Sequence, residues 1–150
     1  MAESTFERKT LYEHPLNMHL IILSSYANHW QAYIEKLATQ IGEIRDRVEV
    51  VDVKDGPLMP DMLQELRHLE DKVVLRTSAS IRSTLSNVEL LADVNNKLKE
   101  KDANFVDQYA KMEQYLSAYL NRFRTHLNNA EILEKRTQAT IGLTISEEDI

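Results

Sequence analysis

The stretch that decides the fold is LNMHLIILSSYANHWQAYIEKLATQIGEIRDRVEVV, residues 16–51. Within it Leu16, Leu20, Leu23, Ala27, Trp30, Ile34, Leu37, Ile41, Ile44, Val48 and Val51 recur at gaps that alternate four, three, four, three without a break. A helix places residues at that spacing on one side, whereas a strand would need apolar residues at every second position. The pattern therefore predicts a helix over about 15–51 that packs along its whole length against a partner. At ~1.5 Å per residue it would be roughly 50 Å long. His14-Pro15 marks its start, because proline disfavours helical geometry in the residue before it.

Working outward, Asp52-Val53-Lys54-Asp55-Gly56-Pro57 reads as a turn, since Gly supplies unusual backbone angles and Pro cannot extend a helix. A competing reading makes the β-branched run 48–53 a strand, but no other strand candidate exists to pair with it. A second helix is expected over about 60–99, with Asp61 and Gln64 at capping spacing. Its apolar side runs through Met62, Leu66, Leu69, Val73, Ile81, Leu85, Val88, Leu91, Val94 and Leu98, with Thr77, Thr84 and Asn95 interrupting it. Glu100-Lys101-Asp102 forms the next link, with Asp102 as cap. The third helix is expected over about 103–141, along Phe105, Tyr109, Met112, Leu116, Tyr119, Phe123, Leu127, Ala130, Leu133, Thr137 and Ile141. Gly142 stands where a C-terminal cap belongs, and residues 143–150 read as an acidic tail. Ser4 and Glu7 have capping-box spacing for a short helix over 4–13.

The expected fold class is all-α: an antiparallel bundle of three long helices with a short N-terminal helix, in one domain over 1–150. Short links force neighbouring helices to run antiparallel. Composition agrees. The 150 residues include only three Gly and three Pro, and 43 % are hydrophobic, enough for a real core. There is no cysteine, which removes disulfides, thiolate metal sites and cysteine nucleophiles and fits an intracellular setting. The N-terminus MAESTFERKT has no apolar core of signal-peptide length, and no run of about 18 apolar residues could span a bilayer. A net charge of −6 disfavours nucleic acid. The small basic clusters Lys97/Lys99/Lys101 and Arg122/Arg124 read as solvated helix faces.

Chemistry is hard to find. Glu65-Leu66-Arg67-His68 has the Glu-x-x-His spacing of di-iron bundles, but such a site needs a second pair, and none precedes His19, His29 or His126. His14 and His19 do not share a helix face well. Ser24, Ser25, Ser78, Ser80, Ser83 and Ser86 fall inside expected helices, with no G-x-S-x-G and no Gly-rich phosphate loop. Asp52, Asp55 and Asp61 lack the regular oxygen spacing of a calcium loop. The sequence therefore predicts no enzyme, no catalytic residue, no cofactor-binding residue and no metal ligand. Aromatic side chains at helical spacing are usually core, but exposed ones are typical partner anchors. Trp30, Tyr33, Tyr115 and Tyr119 are the candidate partner contacts. Apolar residues off the seams, Ile21, Ile22, Val74, Leu90 and Val106, point to a fourth element or a second subunit.

Three stretches carry a family likeness: His14-Pro15-Leu16-Asn17-Met18-His19-Leu20 with Ser24-Ser25-Tyr26 and Trp30 to Leu37; Leu63 to Val73; and Ala130 to Thr140. In this order they resemble the helical cytoplasmic region of fungal CorA-like proteins, relatives of the CorA magnesium channel, over roughly residues 12–143. The resemblance implies a stalk-like module that ordinarily leads into two membrane helices. The Gly-Met-Asn filter signature, both membrane helices and most of the upstream α/β domain are absent here, so no filter residue carries over. The likeness further implies a cytoplasmic setting and leaves room for Mg²⁺ at an intersubunit carboxylate site that one sequence does not locate. The expected function is a non-enzymatic regulatory or assembly domain, not transport-competent by itself, that binds a protein partner or itself through helix faces. The alternative is a generic three-helix, spectrin-repeat-like interaction module.

Overall fold

The structure, a computed structural model, describes residues 14–50 and 59–148. It is all-helical, with three long helical runs and no strand among the described residues. The first run is α1, Asn17–Val50. The second joins α2, Met59–Asp71, a π-helical segment, Lys72–Ser78, and α3, Ala79–Lys101. After Asp102, a 3₁₀ turn, Ala103–Phe105, leads into α4, Val106–Glu148. No helix is long and apolar enough to cross a membrane among the described residues. The helix expected over 4–13, the turn at 52–57 and the position of Val51 lie outside the described residues.

The α1 seam follows the sequence pattern closely. Leu23, Ala27, Ile34, Leu37, Ile41, Ile44 and Val48 are buried, as is Leu16 just ahead of the helix, and Leu20 and Trp30 are half-buried. Each fully buried Leu or Ile contributes about 1.5–3 kcal/mol, so this one stripe anchors the helix along its length.

The second run explains its own irregular pattern. Leu66, Val73, Ile81, Val88 and Asn95 are all fully buried. Their spacing is seven residues at each step except from Val73 to Ile81, where it is eight. One extra residue would swing the following helix by about 100° and turn its seam away from the core. The π-helical segment includes Val73, ends three residues before Ile81 and absorbs the extra residue in wider turns. The Thr77 hydroxyl donates to the Lys72 carbonyl five residues back, at 2.9 Å, inside this segment. This also corrects one seam position. Val94, expected inside, is 43 % exposed, and Asn95 takes the buried place seven residues after Val88.

In α4, Tyr109, Met112, Leu116, Phe123, Ala130, Leu133 and Thr137 are buried as expected. Phe105 is exposed instead, because it belongs to the 3₁₀ turn ahead of the helix. Gly142 does not end the helix, which continues to Glu148, and no glycine among the described residues has a positive φ. Thr140 and Thr144 are buried on either side of it, with the Thr144 hydroxyl donating to the Thr140 carbonyl at 2.9 Å. That burial offsets the ~1 kcal/mol cost of a helical glycine. Residues 143–148, expected as an acidic tail, are therefore helical. Asp102 caps the following turn as expected, its carboxylate accepting from the Asn104 N–H at 3.2 Å.

The chain divides into two compact units. The first gathers the chain up to Trp30 with Ser83–Thr125. It is tied by Lys99–Glu113 at 3.5 Å, by Arg124–Glu89 at 3.6 Å, and by a bond from Arg122 to the Asn28 amide oxygen. The second gathers Gln31–Arg82 with the chain from His126 onward, and carries Arg47–Glu65 at 3.2 Å and Arg82–Glu131 at 3.0 Å. All of these pairs are solvent-exposed, worth about 0–1 kcal/mol each. They set which faces meet more than how firmly.

Candidate interaction face and a buried histidine clasp

Two features of the first unit stand out. One is a chain of polar groups inside it. His14, at the entry to α1, is buried beside Asn95 of α3 and Tyr109 of α4. The Leu16 N–H donates to His14 Nδ1 at 3.0 Å, which leaves the ring proton on Nε2; Nε2–H then donates to Asn95 Oδ1 at 3.1 Å. The Asn95 amide N–H donates to the Tyr109 carbonyl at 2.9 Å. The Tyr109 ring meets the imidazole edge-on, with centroids 5.1 Å apart, and its hydroxyl donates to Asp102 Oδ2 at 3.4 Å. The three bonds through His14 and Asn95 satisfy buried donors and acceptors, each of which otherwise costs about 1–3 kcal/mol, while the Tyr109–Asp102 bond is part-buried. Together they clasp the start of α1 to α3 and α4.

Burial pushes the His14 pKa below its ordinary value, and the bond to Asn95 partly opposes that shift. Tyr109 is pushed up, first by burial and then by the Asp102 carboxylate beside it. This histidine is thus a neutral structural group whose two nitrogens are committed. The sequence offered a faint signal: an asparagine in an apolar heptad position often fixes helix register.

The second feature is the outer side of α1. Residues 14–34 contain no Asp, Glu, Lys or Arg, although 28 % of the chain is charged. Met18, Ile21, Ile22 and Tyr26 are each more than half exposed there. Met18, Ile22 and Tyr26 follow one another at intervals of four, so they form a stripe turned away from the buried Leu23 and Ala27. His29 continues the stripe three residues on, its Nδ1–H donating to the Ser25 carbonyl at 2.7 Å. Large apolar side chains on a charge-free helix face are the composition of an interface centre, not of an ordinary solvated surface.

Of the four aromatic residues expected to contact a partner, Tyr115 is exposed, while Trp30, Tyr33 and Tyr119 are half-buried. Trp30 and Tyr119 lie in the first unit with Tyr115, and Tyr33 lies in the second. The sequence signals for the stripe were the off-seam Ile22 and the neighbouring Tyr26.

Chemistry-bearing groups stay scattered among the described residues. Glu65 pairs with Arg47, and His68 is exposed. No group of three or more His, Asp or Glu side chains among the described residues is placed to hold a metal ion. In the second unit Thr137, Thr140 and Thr144 are buried with each hydroxyl donating to the carbonyl four residues back, so they are bound to their own helix. A shallow hollow of about 350 Å³ beside the 3₁₀ turn is lined by Ala103 to Gln108 and gathers one carboxylate, Asp107. No family model, curated protein or solved structure matches the chain. The functional reading therefore rests on these residues.

Proposed function

We propose that this chain is a non-enzymatic helical domain serving assembly or regulation, its three helices antiparallel, resembling the soluble stalk-like region of CorA-like proteins and unable to carry ions by itself. It works by binding protein through the outer side of α1. The observation that carries the reading is the composition of that side: no Asp, Glu, Lys or Arg over 14–34, with Met18, Ile21, Ile22 and Tyr26 turned outward. Leaving four large apolar side chains in water forgoes the ~25 cal/mol per Å² that covering them would return.

The antiparallel arrangement is supported by partner numbers in the first unit. Glu89 pairs with Arg124 and Lys99 with Glu113, so position rises along α3 as it falls along α4. The CorA-like resemblance is carried by residues 14–37, 63–73 and 130–140.

The test is photo-crosslinking in the cells that make the protein, from a benzophenone amino acid at position 26. A covalent protein adduct that disappears in Ile22→Glu, with helicity by circular dichroism unchanged, is the expected result. A folded protein that gives no adduct from this position would overturn the reading.

A further inference from the structure

We infer that the occupant of this face is a second copy of the chain, two α1 helices packing across a two-fold axis at Ile22. The inference rests on the assembly reading above and goes beyond it by naming the partner.

Charge decides between a like and an unlike partner. The chain carries −6 at neutral pH, so two copies repel unless they meet where neither is ionised. An unlike partner of an acidic chain gains from basic groups set against acidic ones, and a face built for it would keep its carboxylates. The outer side of α1 has none between residues 14 and 34. Other exposed apolar pairs in the first unit sit beside carboxylates: Leu90 and Val94 on α3 are interleaved with Glu89 and Asp93, and Phe105 and Val106 are followed by Asp107. Two copies meeting there would bring like charges together.

Spacing gives the geometry. A two-fold contact requires that residue i of one copy meet residue j of the other, and the reverse. Met18 and Tyr26 lie four residues on either side of Ile22. With two α1 helices antiparallel across the axis, Ile22 faces Ile22 of the second copy and Met18 faces Tyr26 of the second copy, twice over. Thioether against aromatic ring is a favourable pair. Ser25 and His29 supply a polar margin. Three helical turns make a contact smaller than the about 800 Å² per partner of a standard interface, so the dimer is expected to be weak and concentration-dependent.

The experiment combines sedimentation equilibrium of the purified full chain with crosslinking from position 26. The expected results are a mass that rises toward twice that of one chain with concentration, and an adduct of two chains. Ile22→Glu should weaken association by about tenfold or more, whereas Leu90→Glu leaves it unchanged. Mixing Ile22→Glu chains with Ile22→Lys chains should restore it, because the axis sets the two side chains against each other. That rescue separates a lost contact from a folding defect. A chain that stays monomeric at its highest soluble concentration overturns the inference, as does a crosslink within one chain to residues 1–13. If the purified chain is monomeric but gives an adduct with another protein in cells, the assembly reading stands and the self-association falls. If neither gives an adduct, both fall.

Discussion

Deleting Arg76 should leave the protein folded and about as stable as before. Arg76 is exposed, lies inside the π-helical segment and has no place in the seam. Its removal shortens the eight-residue step between Val73 and Ile81 to seven, so ordinary α-turns would carry both residues to the core. The Thr77 hydroxyl, now four residues beyond Lys72, keeps an ordinary back-bond to the same carbonyl. The expected change in unfolding free energy is within about 1 kcal/mol, the range of a surface substitution with a small gain in hydrogen-bond geometry. Deleting His68, also exposed but inside regular α2, is the contrast. It rotates Leu69 and Val73 by about 100° against Met62 and Leu66, so one pair must leave the core. All four are buried. Exposing two such side chains costs about 1.5–3 kcal/mol each, or roughly 3–6 kcal/mol together. Urea unfolding followed by circular dichroism measures both variants on one scale. If the Arg76 deletion loses as much stability as the His68 deletion, the π-helical segment is not absorbing a spare residue and the reasoning fails.

Lowering the pH should loosen the clasp. His14 binds its proton less readily in the folded chain than in the unfolded one, because burial holds its pKa below 6.5. Stability is then whole above about pH 6.5 and declines as pH falls below that value, because the unfolded chain takes up the proton first. Denaturation at pH 7.5 and 5.5 should show a smaller decline in His14→Gln than in the parent chain; equal declines would contradict this. Asn95→Leu removes a partner from both His14 and the Tyr109 carbonyl, and should cost about 2 kcal/mol or more despite adding apolar surface. Hydrogen exchange should then quicken at the Leu16 and Asn17 amides. Phe123→Ala, at a fully buried ring, should cost about 3–5 kcal/mol. Tyr115→Ala, at an exposed ring, should stay within about 0.5 kcal/mol in the same unfolding assay.

The sequence alone determined the helical class and most of the residues that α1 buries. A gap pattern of four and three over eleven apolar residues has one physical solution, a helix with one side in a core. The third stripe and the Asp102 cap were legible for the same local reasons. Only the tertiary structure decided the rest. It moved Asn95 inside and Val94 out, because the heptad phase and the partners offered by His14 and Tyr109 outweigh the loss of an apolar side chain. It carried α4 through Gly142, because burial of Thr140 and Thr144 outweighs one weak helix former. It turned the irregular second seam into two regular ones separated by a single extra residue. It also placed Met18, Ile22 and Tyr26 outside, where the sequence could say only that they lie off the buried seam. Local spacing fixes which side chains share a helix face. Which of those faces is covered depends on what packs against it, and that is written in residues far along the chain.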